Sequence, residues 1–426
     1  MNNIRRKAKR YWAWTPALAV LAACLSHTPA SAQTITRDQN QGVAERSRAE
    51  YEPIGIRVRS FEIRPRLTTD VAYLDNVFAE ETDRDGDAVI GLRSALNVNS
   101  TWSRHSLSGG FASDTLFFTD FTSEDRTSWR GNVEGRLDVG RSSQFGAGAL
   151  FRRNIAPRTS PETPLASLNL VQETSQGVFV TGSHEFNRLR LSARAERTNF
   201  NFGDVTTIGG QVLTLDDRER VEWRASGRAD YALSPDSSVF FEGGWNQRNF
   251  DVLPLSGIAR SSSGQTFLAG FRTDVTRVLR GEVSIGYLRQ DFEAANVNVV
   301  AGLATRISLE YYPTTLTTVR LTAQREIQDT GVDSGAGIFA TNVGLGIDHE
   351  LLRNLILSAS GGYNRQSFRG LPRTDTFYNA EFGARYLVNR NLSLGASYRY
   401  DHGATNNVNG RDFGLNSFRL SLTVAL

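Results

Sequence analysis

The chain has 426 residues, 39% hydrophobic and 22% charged, with 48 Lys and Arg against 45 Asp and Glu and a net charge of +3. Its mean hydropathy of -0.34 excludes a chain dominated by apolar membrane helices. It does not exclude a membrane β-barrel, in which lipid-facing and lumen-facing residues alternate and average to a mildly polar value.

The N-terminus opens with Arg5, Arg6, Lys7, Lys9 and Arg10, continues with an apolar run from Tyr11 to Leu25, and closes on Ala30-Ser31-Ala32. This pattern predicts a secretory signal peptide over 1–32, cleaved between Ala32 and Gln33; the run is too short for a comfortable membrane span. Leu21-Ala22-Ala23-Cys24 offers an alternative, a lipoprotein cleavage box that leaves Cys24 lipidated. Residues 1–32 carry five basic and no acidic residues, so their removal turns +3 into -2 and takes away the compositional case for binding nucleic acid. Cys24 is the sole cysteine, so no disulfide or thiolate chemistry survives cleavage at Ala32. Lys7 and Lys9 are the only lysines. Either a GC-rich coding bias or a use for the rigid, always-charged guanidinium fork accounts for this, in Arg–carboxylate ladders or on anionic sugars. Residues 33–60 are polar and aperiodic, a periplasmic leader on which a partner can bind.

From Phe61 the texture becomes period-two alternation between turn residues, and strands are predicted at 61–74, 88–102, 105–117, 127–140, 143–153, 173–185, 189–202, 217–232 and 238–248. The second half continues with 263–276, 280–292, 298–312, 315–328, 339–351, 354–366, 375–388, 391–402 and 413–426. The connections alternate between short turns, such as Ser103-Arg104, Pro313-Thr314 and Asn389-Arg390, and longer loops rich in Asp, Gly, Ser and Asn, such as 75–87, 154–172 and 203–216. Short turns on one side and long loops on the other predict an all-β fold over 61–426: a transmembrane antiparallel up-and-down β-barrel of about eighteen strands in the Gram-negative outer membrane. A propeller fits worse, because each repeat has two long strands, not four, and no Trp-Asp signature recurs.

The two faces separate along each strand. Val221, Trp223, Ala225, Gly227, Ala229 and Tyr231 alternate with Glu222, Arg224, Ser226, Arg228 and Asp230. The second set is too charged for a packed soluble interior and fits a wet lumen. The pore-lining residues predicted on this basis are Arg224, Arg228, Arg306, Glu310, Arg320, Gln324, Arg385 and Arg399. Trp102, Tyr231, Tyr287, Tyr311, Tyr312, Tyr386 and Tyr400 fall toward strand ends, where interfacial girdles form. The last strand, Ser417 to Leu426, places Phe418, Leu420, Leu422, Val424 and Leu426 on one face. It is expected to pair with 391–402 on one edge and to close on Phe61 to Tyr73 on the other.

No phosphate-cradling loop, metal-ligand spacing or nucleophile motif is present, so no cofactor, metal or catalytic residue is predicted. Beyond the signal the histidines are His105, His184, His349 and His402. Asp401-His402 is the one pair resembling a base with its carboxylate, and neighbours on a strand point to opposite faces.

Arg64-Pro65-Arg66-Leu67 and Val71 to Glu81, with Tyr73, Asp75 and Asn76 in a Tyr-x-Asp-Asn pattern, resemble the opening of the outer-membrane family called beta-barrel porin 2. Trp102, Arg104 and His105, and Ser123 to Arg126, continue the likeness, which covers about 55–426. The resemblance implies export of capsular polysaccharide or exopolysaccharide. In that role the barrel works with a periplasmic polysaccharide-export protein and a glycan polymer as cargo; outer-membrane lipid and the barrel-assembly machinery are its other partners. A general diffusion porin for small solutes, and a rim enzyme or loop-based receptor, are the alternatives.

Overall fold

The computed structural model describes residues 41–426 apart from 161–162, 165–166, 277, 295–298, 332–336, 408–409 and 411. The signal peptide, Cys24 and the cleavage site at Ala32 and Gln33 lie outside the described residues.

Eighteen long strands are present among the described residues. They are β1 (Phe61–Leu74), β2 (Asp87–Ser100), β3 (Ser106–Phe118), β4 (Arg126–Val139), β5 (Ser143–Ile155), β6 (Gln172–Phe186), β7 (Leu189–Phe202), β8 (Arg220–Ser234) and β9 (Ser237–Phe250). Then follow β10 (Ser262–Thr276), β11 (Leu279–Phe292), β12 (Val300–Thr314), β13 (Thr317–Gln328), β14 (Gly337–Leu352), β15 (Leu355–Arg369), β16 (Thr374–Leu387), β17 (Leu392–Thr405) and β18 (Phe413–Ala425). Each pairs antiparallel with its sequence neighbour, and β18 returns to β1, so the sheet is a closed barrel. Closure satisfies every ladder and removes the edges, the condition for a sheet to cross a bilayer.

Period-two alternation sorts the residues as expected. On β11 Ile285 and Tyr287 are exposed on the outer face, while Ser284 and Leu288, which flank them, are buried. Leu67, Val71 and Tyr73 on β1 and Phe418, Leu420, Leu422 and Val424 on β18 extend the same outer apolar band across the seam.

The seam is narrower than the sequence suggests. It runs from Leu74↔Ser417 to Arg66↔Ala425. Phe61–Ile63 instead carry the short strand Ile56–Val58 on that edge. At the long-loop rim Asp75 accepts from the backbone and side-chain amides of Asn416, both at 2.6 Å. Asn76 donates to the Gly414 carbonyl at 3.0 Å. The Asp-Asn pair of the opening motif is thus a clasp on the barrel seam.

Two local expectations are corrected. The turn placed at Pro313-Thr314 lies two residues later, since β12 runs through Thr314 and pairs it with Thr317 across a register shift. Proline, lacking an N–H, is accommodated at such an irregularity. Tyr312 is buried and donates to Glu310 Oε2 at 2.5 Å, so it faces inward and is not part of a lipid-facing girdle; Trp102, Tyr231, Tyr287, Tyr311, Tyr386 and Tyr400 are exposed.

Candidate functional site: the inner wall

Along β8–β14 the inner wall is held by ion pairs and hydrogen bonds, several of them between strands that are not neighbours. Arg228 on β8 grips Glu282 on β11 with both terminal nitrogens, at 2.9 and 2.8 Å, and Asp230 on its own strand at 2.8 Å. Arg306 on β12 reaches Glu242 on β9 at 2.9 Å, and Glu242 also stands 3.7 Å from Arg228. Glu222 accepts from Arg224 at 3.0 and 2.9 Å and from Arg248 on β9 at 3.3 Å. Arg248 donates onward to the Ile327 carbonyl of β13 at 2.9 Å. Arg220 pairs with Asp329 at 2.7 Å, and Leu268, Leu288, Val300, Ala304 and Phe339 pack beside these ladders. Such chords draw this side of the barrel together, since inner side chains three or four strands apart meet only where the wall curves over itself.

The predicted lining residues divide accordingly. Arg228 and Arg306 meet through Glu242, and Arg224 joins the neighbouring Glu222 group. Glu310 lies apart, accepting from Arg280 at 2.6 Å and from Tyr312. Arg320 pairs with Asp348, Gln324 donates to Glu326 at 2.5 Å, and Arg399 holds Asp401 at 2.6 Å and Glu381 at 3.3 Å. Arg385 has no hydrogen bond or ion pair among the described residues. Glu242, Glu282 and Arg248 escaped the sequence reading, although they sit on the same polar period as the residues it named.

Residues 42–52 were also missed as part of this wall. Val43 is fully buried and donates its N–H to Thr318 Oγ1 at 2.8 Å. Arg48 donates to Glu350 Oε2 and to the Val43 carbonyl, both at 2.8 Å, and Arg46 reaches Glu350 at 3.3 Å. Glu45 accepts from Arg280 at 3.2 Å. Thr318, Glu350 and Arg280 all lie at the short-turn ends of their strands, so this segment fills part of that mouth from within. Its aperiodic, polar sequence carries no signal of where it docks.

The histidines serve turns. The His105 N–H donates to Asp138 Oδ2 at 2.9 Å while its Nδ1 accepts from the Asp138 N–H at 3.0 Å, which holds His105 at φ 63°. His184 Nδ1 lies 2.7 Å from Ser143 Oγ, and His349 Nδ1 lies 3.0 Å from Thr317 Oγ1. Asp401 is engaged by Arg399, and His402 lies beside Tyr378 and Tyr400 on the other face. Among the described residues no group of three His, Cys, Asp or Glu is placed to hold a metal.

At the long-loop rim, Arg158 and Glu124 form a buried pair at 2.7 Å. Phe200, Phe202, Val205 and Leu215 form a small apolar core there with Ala156 and Val171. Next to it burial pushes the Glu219 carboxyl up to about 7 against one hydrogen bond from the Phe202 N–H, and Asp216, Asp204 and Asp251 add to the rise.

Solved structures with similar chain paths include OpdO of Pseudomonas aeruginosa, 15% identical, covering 87% of this chain and 98% of that one with a TM-score of 0.46. OpdL of the same organism is 12% identical, covering 87% and 99% with a TM-score of 0.44. OccAB3 of Acinetobacter baumannii is 11% identical, covering 85% and 99% with a TM-score of 0.43. A comparison with curated proteins gave no match. The sequence model of the family described as "Putative beta-barrel porin 2" matches residues 48–426, which takes in the whole barrel and the last part of the segment that enters it, and the chain belongs to that family.

Proposed function

We propose that this outer-membrane barrel is a polar conduit for a secreted capsular polysaccharide or exopolysaccharide. In this reading the chain is exported on a signal peptide over 1–32, inserted by the barrel-assembly machinery, and supplied with polymer by a periplasmic polysaccharide-export protein docking near residues 33–60 and the short turns. The observation that carries it is the polar inner wall on the side free of chords, where Asn97, Asn99 and Asn132 are exposed and Thr68 and Arg399 also face inward. Amides, hydroxyls and guanidinium groups exchange hydrogen bonds with sugar hydroxyls without holding any one sugar tightly. Barrels of this strand number are wide enough for an aqueous path.

A second reading, a diffusion porin for small solutes, draws on residues 42–52 inside the short-turn mouth and on the chords of β8–β14, both of which narrow the lumen. Deleting the gene separates the two. Loss of surface polymer with its precursor retained in the cell is the expected result. Unchanged polymer with slower uptake of small solutes would sink the export reading.

A further inference from the structure

The inner-wall arginines fall into two groups, those with a carboxylate partner and those without, and Arg93, Arg194 and Arg399 belong to the first. Those of β8–β14 named above are neutralised by carboxylates. By contrast, Arg66 on β1, Arg130 on β4, Arg152 on β5 and Arg385 on β16 make no hydrogen bond or ion pair with a carboxylate among the described residues. Their cross-strand neighbours offer none either. Arg66 faces Ala95 and Ala425, and Arg385 faces Ile356 and Gly395. Arg130 stands directly opposite Arg152, whose other neighbour is Ser175. Like charges opposite one another on a sheet are unfavourable, and neither arginine of this pair has a carboxylate directly across its other edge, where Ala112 and Ser175 stand. Arg66, Arg130 and Arg385 are also exposed to the lumen.

The four lie at two levels. Arg130 and Arg152 are a few residues from the long-loop ends of their strands, and Arg66 and Arg385 lie in the short-turn halves of theirs. A small anion gains from one level only. A chain bearing a carboxylate on successive sugars spans both, and the second contact becomes intramolecular. Guanidinium forks bind carboxylates with charge-assisted, often bidentate, bonds.

We propose that the glycan this barrel carries is acidic, and that its carboxylates bind in turn at the Arg130–Arg152 pair and at Arg66 and Arg385. The proposal rests on the conduit reading and narrows its cargo. The test uses the full chain purified in detergent and titrated with a short oligogalacturonate, with galacturonate monomer and with a neutral maltodextrin. The oligogalacturonate is expected to bind at least about ten-fold more tightly than the other two, more weakly as salt is raised, and about ten-fold more weakly to R130Q/R152Q and to R66Q/R385Q. These arginines make no bonds within the barrel, so both variants should keep wild-type heat-modifiable migration. Equal binding of acidic and neutral oligomers, no binding of either, or unchanged affinity in both folded variants would overturn the proposal. Oligogalacturonate binding by the purified protein, together with polymer secretion that survives deletion of the gene, would remove the export reading and leave the anion site standing.

Discussion

Glu222 is 2% exposed and is shared by Arg224 on its own strand and Arg248 on the next. Each guanidinium in this group relies on a carboxylate removed from bulk water, and breaking such a group strands the charges that remain. Glu222→Ala should therefore cost about 3 to 5 kcal/mol, read as a lower denaturant midpoint for the refolded barrel. Arg289 and Asp291 form an exposed pair at 2.7 Å; Arg289→Gln should leave the midpoint unchanged, because exposed pairs contribute little. Glu219 lies outside the strands and titrates near 7, against an ordinary value of 4.5. A carboxyl with a raised folded pKa stabilises the fold only while it holds its proton, so this contribution falls as pH rises from the ordinary value through about 7. Proteolysis within 203–219 should be faster at pH about 8 than at pH about 5, and Glu219→Gln should abolish the difference. A pH-independent cleavage rate in the parent chain would contradict this.

At the level of elements, residues 42–52 are held by Glu350, which serves both Arg46 and Arg48. Removing one partner from a buried charge group costs about 2 to 5 kcal/mol, comparable with what holds a short segment in place. Glu350→Gln should free the segment, raise single-channel conductance in planar bilayers, and expose residues 42–52 to protease added on the short-turn side. Deleting the segment should raise conductance at least as far, and no change in either variant would show that the segment does not occlude the path. The strands themselves were legible in the sequence because their signal is local. Alternation such as Val221 to Tyr231 needs no knowledge of neighbours, and the predicted ends fall within a few residues of those observed. The polarity that marks Arg228 or Arg306 as inward is equally local. Their partners were not legible: Glu282 lies 54 residues from Arg228 and Glu242 lies 64 from Arg306, and only the curvature of the closed wall brings them together. Pro313 misled for a related reason, since proline reads as punctuation unless the register irregularity that accepts it is known.

For the molecule as a whole, every strand depends on closure, and closure depends on β18. This strand carries outward Phe418, Leu420, Leu422 and Val424 and inward Arg419, which lies 3.7 Å from Asp70 across the seam. On the inner side Asp70 also pairs with Arg93, and the space is tight enough that a Cβ at Gly91 would collide with its carboxylate. Removing Leu420–Leu426 takes away the partners of Arg66–Val71 on β1 and of Leu392–Ala396 on β17. Two edges with unpaired N–H and C=O groups would then face hydrocarbon, where each unsatisfied group costs several kcal/mol. Such a deficit exceeds the stability of most folds, so the truncated chain should give no heat-modifiable species and no detergent-extractable membrane fraction. Leu422→Ala, which trims the lipid-facing side chain and keeps the backbone ladder, should still assemble. If the truncated chain inserted as well as Leu422→Ala does, the seam between β1 and β18 would not be what closes the barrel.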